Sequence, residues 1–156
     1  MADGSDDAEQ IEPLTRLVER GIVIAAASRY VKGGQQIGGR RLKGLMSRLA
    51  GLSLHWLTGV GTHDPTNSFN AYSRDFVRSV GIESEAGFKL GIKMVAKAKR
   101  LRLPVAEIPT IWLDRSAGLS NFRLAAWIPY YLRWYIFTFG PHLTLETLRE
   151  CAERAR

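Results

Sequence analysis

Residues 8–27, AEQIEPLTRLVERGIVIAAA, decide the fold that this sequence predicts. In their first part, apolar residues recur at the three- and four-residue spacing of an amphipathic helix, which we place over 8–20. Gly21 ends that helix, and the unbroken apolar run over 22–27 is typical of a strand buried on both faces. Because a helix, a glycine and a buried strand make half of a βαβ unit, we expect an α/β fold with a parallel sheet.

The rest of the chain alternates further helices and strands. A stretch rich in Gly and Gln over 32–39 predicts a mobile loop. The other predicted elements are a helix over 40–57, a strand end with a short helix over 70–80, a helix over 84–102 and strand character over 104–113. We expect the helix over 40–57 to turn six apolar side chains inward: Leu42, Leu45, Met46, Leu49, Leu52 and Leu54.

Composition indicates a globular protein with one core. The 156 residues are 46% hydrophobic and 24% charged, which argues against a disordered chain. The single cysteine, Cys151, excludes an intrachain disulfide and fits a reducing compartment. The acidic N-terminus lacks the basic and apolar pattern of a signal peptide.

The net charge of +7 is unevenly distributed. The first nineteen residues hold six acidic side chains, whereas 20–63 hold seven basic ones and no acidic one. Residues 88–106 hold six basic side chains and no acidic one, and three of these lysines share one helix face: Lys89, Lys93 and Lys97. Such basic stretches attract phosphate, lipid headgroups or nucleic acid. For 88–106, a solvated basic surface is an equally good interpretation.

The most aromatic segment is 125–140, AAWIPYYLRWYIFTFG. It is too short for a comfortable membrane span, which needs about 20 apolar residues. Trp and Tyr favour the boundary between lipid and water, so the segment predicts a helix on a membrane surface or docked on a transmembrane segment. A core helix of a soluble domain is the alternative. Residues 144–156 predict a polar amphipathic helix.

Acidic and basic side chains supply the first candidate site residues. Asp3, Asp6 and Asp7 crowd one loop, and clustered carboxylates suit a divalent cation such as Mg²⁺. A solvated tail or a helix cap is the alternative. Arg29 follows the buried strand directly, and ligands bind at that end of the strands in parallel α/β sheets.

A second group of candidates lies further along the chain. Four basic residues lie on the helix over 40–57 or just before it: Arg40, Arg41, Lys43 and Arg48. Arginine presents a planar fork that suits phosphate oxygens, although a solvated helix face remains open. Asp64 precedes a proline and is either a turn opener or a general base. The three histidines show no metal-ligand spacing.

Five segments, in this order and spacing, resemble glycosyltransferase family 2, and within it the dolichyl- and polyprenyl-phosphate mannosyltransferases. They are MADGSDD (1–7), ASRYVKGG (27–34), RRLKGLMSR (40–48), DPTNSFNAY (64–72) and EIPTIWLDRSAGLS (107–120). The resemblance covers residues 1–139. It implies a GT-A (Rossmann-like) fold and transfer of a hexose from a nucleotide-sugar donor to a polyprenyl phosphate or another lipid acceptor.

The resemblance also implies roles for individual residues. Asp3, with Ser5 and Asp6 in support, would hold Mg²⁺ or Mn²⁺ on the donor diphosphate. Arg29, Arg41, Arg48 and Ser120 match positions near the donor and acceptor phosphates. Asp64 and Arg115 match catalytic positions. The chain departs from the family pattern at Met1, Lys93 and Asn121, where relatives often carry Asp, Glu and Lys.

A complete enzyme of this kind has nucleoside-binding strands ahead of the metal loop. We therefore expect a partial GT-A domain that lacks those strands: 1–123 as the C-terminal part of the catalytic domain, and 124–156 as amphipathic membrane-interface and tail helices. The predicted location is cytoplasmic, peripheral at the inner face of the membrane. An unpaired sheet edge would follow from the missing strands.

Two alternatives remain open. One is a non-catalytic basic module that binds a membrane surface or nucleic acid. Nucleic acid is not expected as a partner, because the aromatic residues are concentrated in one apolar segment and do not alternate with basic ones as in a stacking platform. The other alternative is an inactive, truncated transferase.

Overall fold

The computed structural model describes residues 6–39, 41–82, 90–114 and 124–153, with the backbone alone described for Arg41, 124–127 and 151–153. The helices are α1 (Ile11–Glu19), α2 (Arg41–Thr58), α3 (Arg74–Val80), α4 (Leu90–Arg100), α5 (Leu124–Thr138) and α6 (Leu145–Glu153). The strands are β1 (Ile24–Ser28), β2 (Gln35–Ile37), β3 (Asn70–Tyr72), β4 (Val105–Pro109) and β5 (Ile111–Leu113).

The chain has an α/β fold, as expected, but its three-stranded sheet is mixed, which corrects the expectation of a parallel sheet. In the three-stranded sheet, β1 lies between β3 and β4. Ile24 pairs with Val105 of β4 in parallel and with Tyr72 of β3 in antiparallel register. β2 and β5 form a separate parallel pair.

β1 and α1 form as the sequence predicts. Every residue of β1 is buried, as expected for an apolar strand covered on both faces. The Asp7 side chain accepts a hydrogen bond from the backbone N–H of Glu9 and caps the 3-10 turn that leads into α1. Gly21, with φ of +95°, follows the end of α1, where a left-handed conformation favours glycine. Leu14 of α1 packs on the alanines of β1.

The inward face predicted for α2 is wrong over its first half. Leu42, Leu45, Met46 and Leu49 are exposed, whereas Leu54 is buried in the core. The second half is the part that packs, because Gly51 lies so close to His63 that an added Cβ would meet its carbonyl oxygen at 2.0 Å. Helical periodicity identified residues that share a face but not what covers that face.

The solvated basic surface considered for 88–106 is wrong for α4. Lys93 and Lys97 are buried, since α4 packs against both the sheet and α5. The Lys97 Nζ donates to the carbonyl oxygen of Val80, 2.9 Å away, at the last residue of α3. A cation there complements the negative end of the helix dipole. Lys89 lies outside the described residues.

α5 has one packed face and one exposed apolar face. Its Trp134 and Tyr135 pack against the core, and the Tyr135 hydroxyl lies 2.9 Å from Ser53 Oγ of α2. The exposed face carries Ile128, Tyr130, Leu132 and Ile136, with Arg133 as its one charged side chain. Among the described helices, none is both long enough and apolar enough to cross a membrane.

The predicted mobile loop over 32–39 contains the strand β2, which the sequence analysis missed. Close backbone packing shapes this segment: a Cβ on Gly34 would lie 2.4 Å from the carbonyl oxygen of Ser28. Only glycine fits that contact. The glycines taken as a sign of mobility therefore fold the chain tightly around the end of β1.

Candidate functional site

Arg29, directly after β1, forms a two-point ion pair with Asp64. Its Nε donates to Asp64 Oδ2 at 2.7 Å and its Nη2 to Asp64 Oδ1 at 2.9 Å. The backbone N–H of Arg29 also donates to Oδ2, at 3.2 Å. Asp64 is fully buried, and the Arg29 side chain is only 13% exposed. This geometry fixes both position and orientation of the guanidinium plane.

Two hydroxyl groups complete the surroundings of the pair. Thr66 Oγ1 donates to Asp64 Oδ1 at 3.1 Å, and Ser47 Oγ of α2 lies 2.5 Å from Thr66 Oγ1. The Nη2 of Arg29 lies within 3.4 Å of both hydroxyl oxygens. Both oxygens of Asp64 are therefore engaged as hydrogen-bond acceptors.

Burial acts to lower the pKa of Arg29, but hydrogen bonding and attraction from Asp64 outweigh it and leave that pKa raised. The negative charge of Asp6 contributes in the same direction, so Asp6 lies within electrostatic range of the guanidinium. Burial also raises the pKa of Tyr131 on α5 to about 12, against an opposing effect of Arg29. Arg29 thus remains charged at any physiological pH.

A cleft of about 730 Å³ opens beside the pair, at the carboxyl end of β1. Three cationic residues line it, namely Arg29, Lys32 and Arg48, together with glycines of 33–44. Lys32 and Arg48 are exposed. A concave surface that carries cations and close-approaching backbone is suited to a phosphate-bearing ligand.

Tyr30 forms part of the cleft wall. Its hydroxyl donates to Gln36 Oε1 at 3.3 Å, and the Arg29 guanidinium carbon lies 5.0 Å from the centre of its ring. Burial raises the pKa of Tyr30, while the nearby charges of Arg29 and Arg48 oppose that rise. The phenol therefore stays neutral, lines the cleft and can form hydrogen bonds there.

The structure places four of the predicted site residues in the described part of the chain with their side chains. Arg29 and Arg48 line the cleft, Asp64 is buried and bonded to Arg29, and Asp6 lies in electrostatic range of Arg29. Arg41 begins α2, with only its backbone described. Four further predictions lie outside the described residues: Asp3, Ser5, Arg115 and Ser120.

The sequence analysis missed four polar residues that support this arrangement: Tyr30, Ser47, Thr66 and Glu107. All four lie inside the segments quoted for the family resemblance, three of them next to or two residues from a predicted site residue. Glu107 had no such neighbour. The sequence pattern that could have identified Glu107 is a single acidic residue in an otherwise apolar strand. Burying such a carboxylate without hydrogen-bond partners is costly, so partners are expected.

Asp6 is the one predicted metal ligand that can be tested for fit. Its carboxylate is the kind of donor that Mg²⁺ and Mn²⁺ prefer, so its chemistry suits such an ion. Within the described ranges, no group of three or more His, Cys, Asp or Glu side chains could hold a metal. An ion there would need further oxygen ligands from elsewhere.

Several known proteins are similar to this chain, while no family model matches it. The polyprenol monophosphomannose synthase of Mycolicibacterium smegmatis is 30% identical over 140 residues, a match that covers 81% of this chain and 52% of the relative. The undecaprenyl-phosphate mannosyltransferase of Micrococcus luteus is 26% identical over 122 residues, covering 77% of this chain and 50% of that protein.

The chain spans about half the length of these relatives. Both matches extend over roughly four fifths of the chain, so they include most of the segments on which the sequence resemblance rests. That resemblance is thereby confirmed.

Proposed function

We propose that this chain, a relative of the polyprenyl-phosphate mannosyltransferases of glycosyltransferase family 2, forms the phosphate-binding part of a sugar transferase. The reaction would move a hexose, mannose by the names of the relatives, from a nucleotide-sugar to a polyprenyl phosphate or another lipid acceptor. The observation that carries the proposal is the cationic cleft after β1, where Asp64 fixes Arg29 close to Arg48.

Arg29 and Arg48 have different parts in this proposal. Arg29 Nη1 takes no part in the contacts with Asp64, Ser47 and Thr66, and we assign it as a donor to a phosphate oxygen. Arg48 is exposed in the cleft wall and can follow a mobile lipid headgroup. Arg41, at the start of the same helix, adds positive charge at its N-terminal end.

The proposed chemistry is a direct displacement. An oxygen of the acceptor phosphate attacks the anomeric carbon of the sugar, and the nucleoside diphosphate leaves with the electron pair of the broken C–O bond. An ionised phosphate carries no proton that a base must remove. Positioning of the two anionic substrates is therefore the main requirement, and the cations of the cleft supply it.

Asp64 contributes by holding Arg29. Its two oxygens already accept hydrogen bonds from Arg29 and Thr66, and it is fully buried. We therefore propose that Asp64 positions Arg29 and does not transfer a proton in the reaction.

Asp6, with Asp3 and Ser5 from the same loop, would hold a Mg²⁺ or Mn²⁺ ion. Such an ion supplies positive charge that neutralises the leaving diphosphate. Support comes from the position of Asp6: its negative charge acts on Arg29, and Arg29 lines the cleft.

Arg115 and Ser120 would contact the acceptor. Support comes from Asp114, whose backbone N–H donates to the carbonyl oxygen of Ile37 at 2.9 Å. Gln36 and Gly38 line the cleft on either side of Ile37, so the segment that follows Asp114 begins at the rim of the cleft.

The exposed apolar face of α5 would lie on the membrane that carries the lipid acceptor. Its exposed Ile, Leu and Tyr side chains suit the boundary between lipid and water. In this proposal the protein is peripheral, at the cytoplasmic face of the membrane.

A transfer assay tests the proposed function. The chain, joined to the part of the Mycolicibacterium smegmatis relative that the match leaves uncovered, is incubated with vesicles that contain polyprenyl phosphate, with Mg²⁺ and with a panel of radiolabelled nucleotide-sugars, and lipid-linked radiolabel is extracted. We expect lipid-linked sugar from one donor, and a loss of about tenfold or more for Arg48→Ala, because one charge-assisted contact to phosphate is removed. Equal product with polyprenol in place of polyprenyl phosphate, or an unaffected Arg48→Ala variant, would contradict the proposal.

A further inference from the structure

We propose that Glu107 is a positioning residue for the phosphate site, an inference that rests on the proposed function of the Arg29–Asp64 pair. Glu107 belongs to β4 and pairs across the sheet with Ala26 of β1. It does not line the cleft. It acts on the cleft through a chain of hydrogen bonds that ends at Arg29.

The first link joins Glu107 to the loop that carries Asp64. Oε2 of Glu107 accepts from the backbone N–H of His63 at 2.8 Å and from Thr62 Oγ1 at 3.1 Å. Oε1 of Glu107 contacts His63 Nδ1. One carboxylate therefore makes three contacts to two consecutive residues, just before Asp64.

The second link runs through the hydroxyl of Thr62. A hydroxyl has one proton, and here it is given to Glu107. The oxygen of Thr62 is then left to accept, and it accepts from the backbone N–H of Asp64 at 3.0 Å. Thr62 and Asp64 are both fully buried, so water cannot replace either bond.

The third link is the ion pair itself. Asp64 presents both oxygens to Arg29, as described above, and the guanidinium faces the cleft. A shift of the Asp64 backbone would therefore tilt the plane of Arg29 and move Nη1 away from a bound phosphate. Misplacements of this kind reduce catalysis even when every contacting residue is present.

The same loop is braced on its other side by α2. The ring of His63 stacks on that of His55, with 3.7 Å between ring centres, and His55 Nδ1 lies 2.8 Å from the carbonyl oxygen of Val60. His63 is thus held between His55 and Glu107. The loop between α2 and β3 is therefore held against both β4 and α2, next to the point where Asp64 meets Arg29.

The experiment uses NMR to measure how fast the Nε–H of Arg29 exchanges with solvent, and it needs no substrate. The Nε–H of Arg29, buried and bonded to Asp64, should exchange slowly with solvent, and an Arg29→Lys variant assigns its signal. The Nε–H of Arg100, which is bonded to the carbonyl oxygen of Pro141 at the end of α5, serves as an internal control within the same molecule.

Three variants are compared with the unaltered chain. In Glu107→Ala we expect the Arg29 signal to exchange about tenfold faster or more, with Arg100 unchanged. Thr62→Val, which removes the hydroxyl at constant shape, should have the same effect and stands in for Glu107→Ala if that variant fails to fold. Glu107→Gln should restore slow exchange, because its amide oxygen can accept from the backbone N–H of His63 and from Thr62 Oγ1, as the carboxylate does.

Unchanged exchange at Arg29 in both Glu107→Ala and Thr62→Val would overturn the proposal. So would equal acceleration at Arg29 and Arg100, which indicates a loss of global stability instead of a loss of position.

A titration with inorganic pyrophosphate, followed on the same Arg29 signal, separates this inference from the proposed function. If no form of the chain binds pyrophosphate while Glu107→Ala still frees Arg29, the function of the site fails and the hydrogen-bond chain stands. Weaker pyrophosphate binding in Glu107→Ala than in Glu107→Gln supports both.

Discussion

At Arg29, a single side chain links the stability of the protein to its proposed activity. Its guanidinium is held by Asp64 in a pair from which water is largely excluded. Two charges taken out of water are costly, and the attraction between them repays that cost only when the geometry is good. Here the pair makes two parallel hydrogen bonds, which is the favourable arrangement.

Asp64→Ala should destabilise the protein by about 3 to 5 kcal/mol, because it leaves the Arg29 charge buried without its partner. Urea unfolding followed by circular dichroism measures this change. The double variant Arg29→Met with Asp64→Leu should cost less than Asp64→Ala, since it removes both charges. A single variant within about 0.5 kcal/mol of the unaltered chain would show that the pair contributes little to stability.

The sequence predicted the residues of the site but not the ion pair between Arg29 and Asp64. Arg29 and Arg48 were predicted from their positions and from the family resemblance, and both line the cleft. That Arg29 bonds to Asp64, 35 residues later, depends on how two loops pack, which local patterns do not reveal. Glu107 was missed for the same reason, because its partners lie 44 and 45 residues earlier in the chain.

At the scale of elements, α5 poses the clearest question. One face packs on the core, and Arg100 of α4 donates from Nη1 to the carbonyl oxygen of Phe137 at 2.7 Å, which fixes the last turn of the helix. The other face is exposed and largely apolar, with Arg133 as its one charged side chain. The sequence offered a membrane-surface helix and a core helix as alternatives; the packed face fits a core helix, and the membrane-surface helix stays a prediction.

Ile136→Glu, on the exposed face of α5, should weaken sedimentation of the chain with anionic lipid vesicles, because a charge would have to enter the lipid boundary. Ile11→Glu is the matched control: Ile11 lies on α1 and is 57% exposed, against 61% for Ile136. If both variants sediment as well as the unaltered chain, α5 is not the membrane-binding element.

The helices also show what periodicity can and cannot predict. The bounds predicted for α2 agree with the structure to within one residue, yet the leucines of its first half face outward. In α4, Lys93 and Lys97 share a face as predicted, and both are buried. A repeat fixes which side chains lie together, whereas the neighbours of an element decide which face is covered.

For the whole molecule, the alternation of helices and strands predicted the α/β class, and the described sheet adds an antiparallel strand that the pattern could not specify. Within the basic stretches of the sequence, two groups of side chains differ in what they contact. Lys93, Lys97 and Arg100 are buried and support the packing of α3 and α5. Arg29, Lys32 and Arg48 surround the cleft.

This division explains why net charge was a poor guide to the site. A charge of +7 suggests a broad attraction for anions. Lys93, Lys97 and Arg100 are not available for such an attraction, because they are buried in the protein. The cations that line the cleft at the end of β1 are the ones that we propose to bind phosphate.

The most direct test compares binding of polyprenyl phosphate and of polyprenol of the same length, both in neutral detergent micelles, by calorimetry. We expect binding of the phosphate form, weakened about tenfold or more by Arg48→Ala. Arg102→Ala, which alters an exposed arginine before the opposite end of β4, should leave binding unchanged. Equal binding of the two lipids, or equal losses in the two arginine variants, would contradict a phosphate site at the carboxyl end of β1.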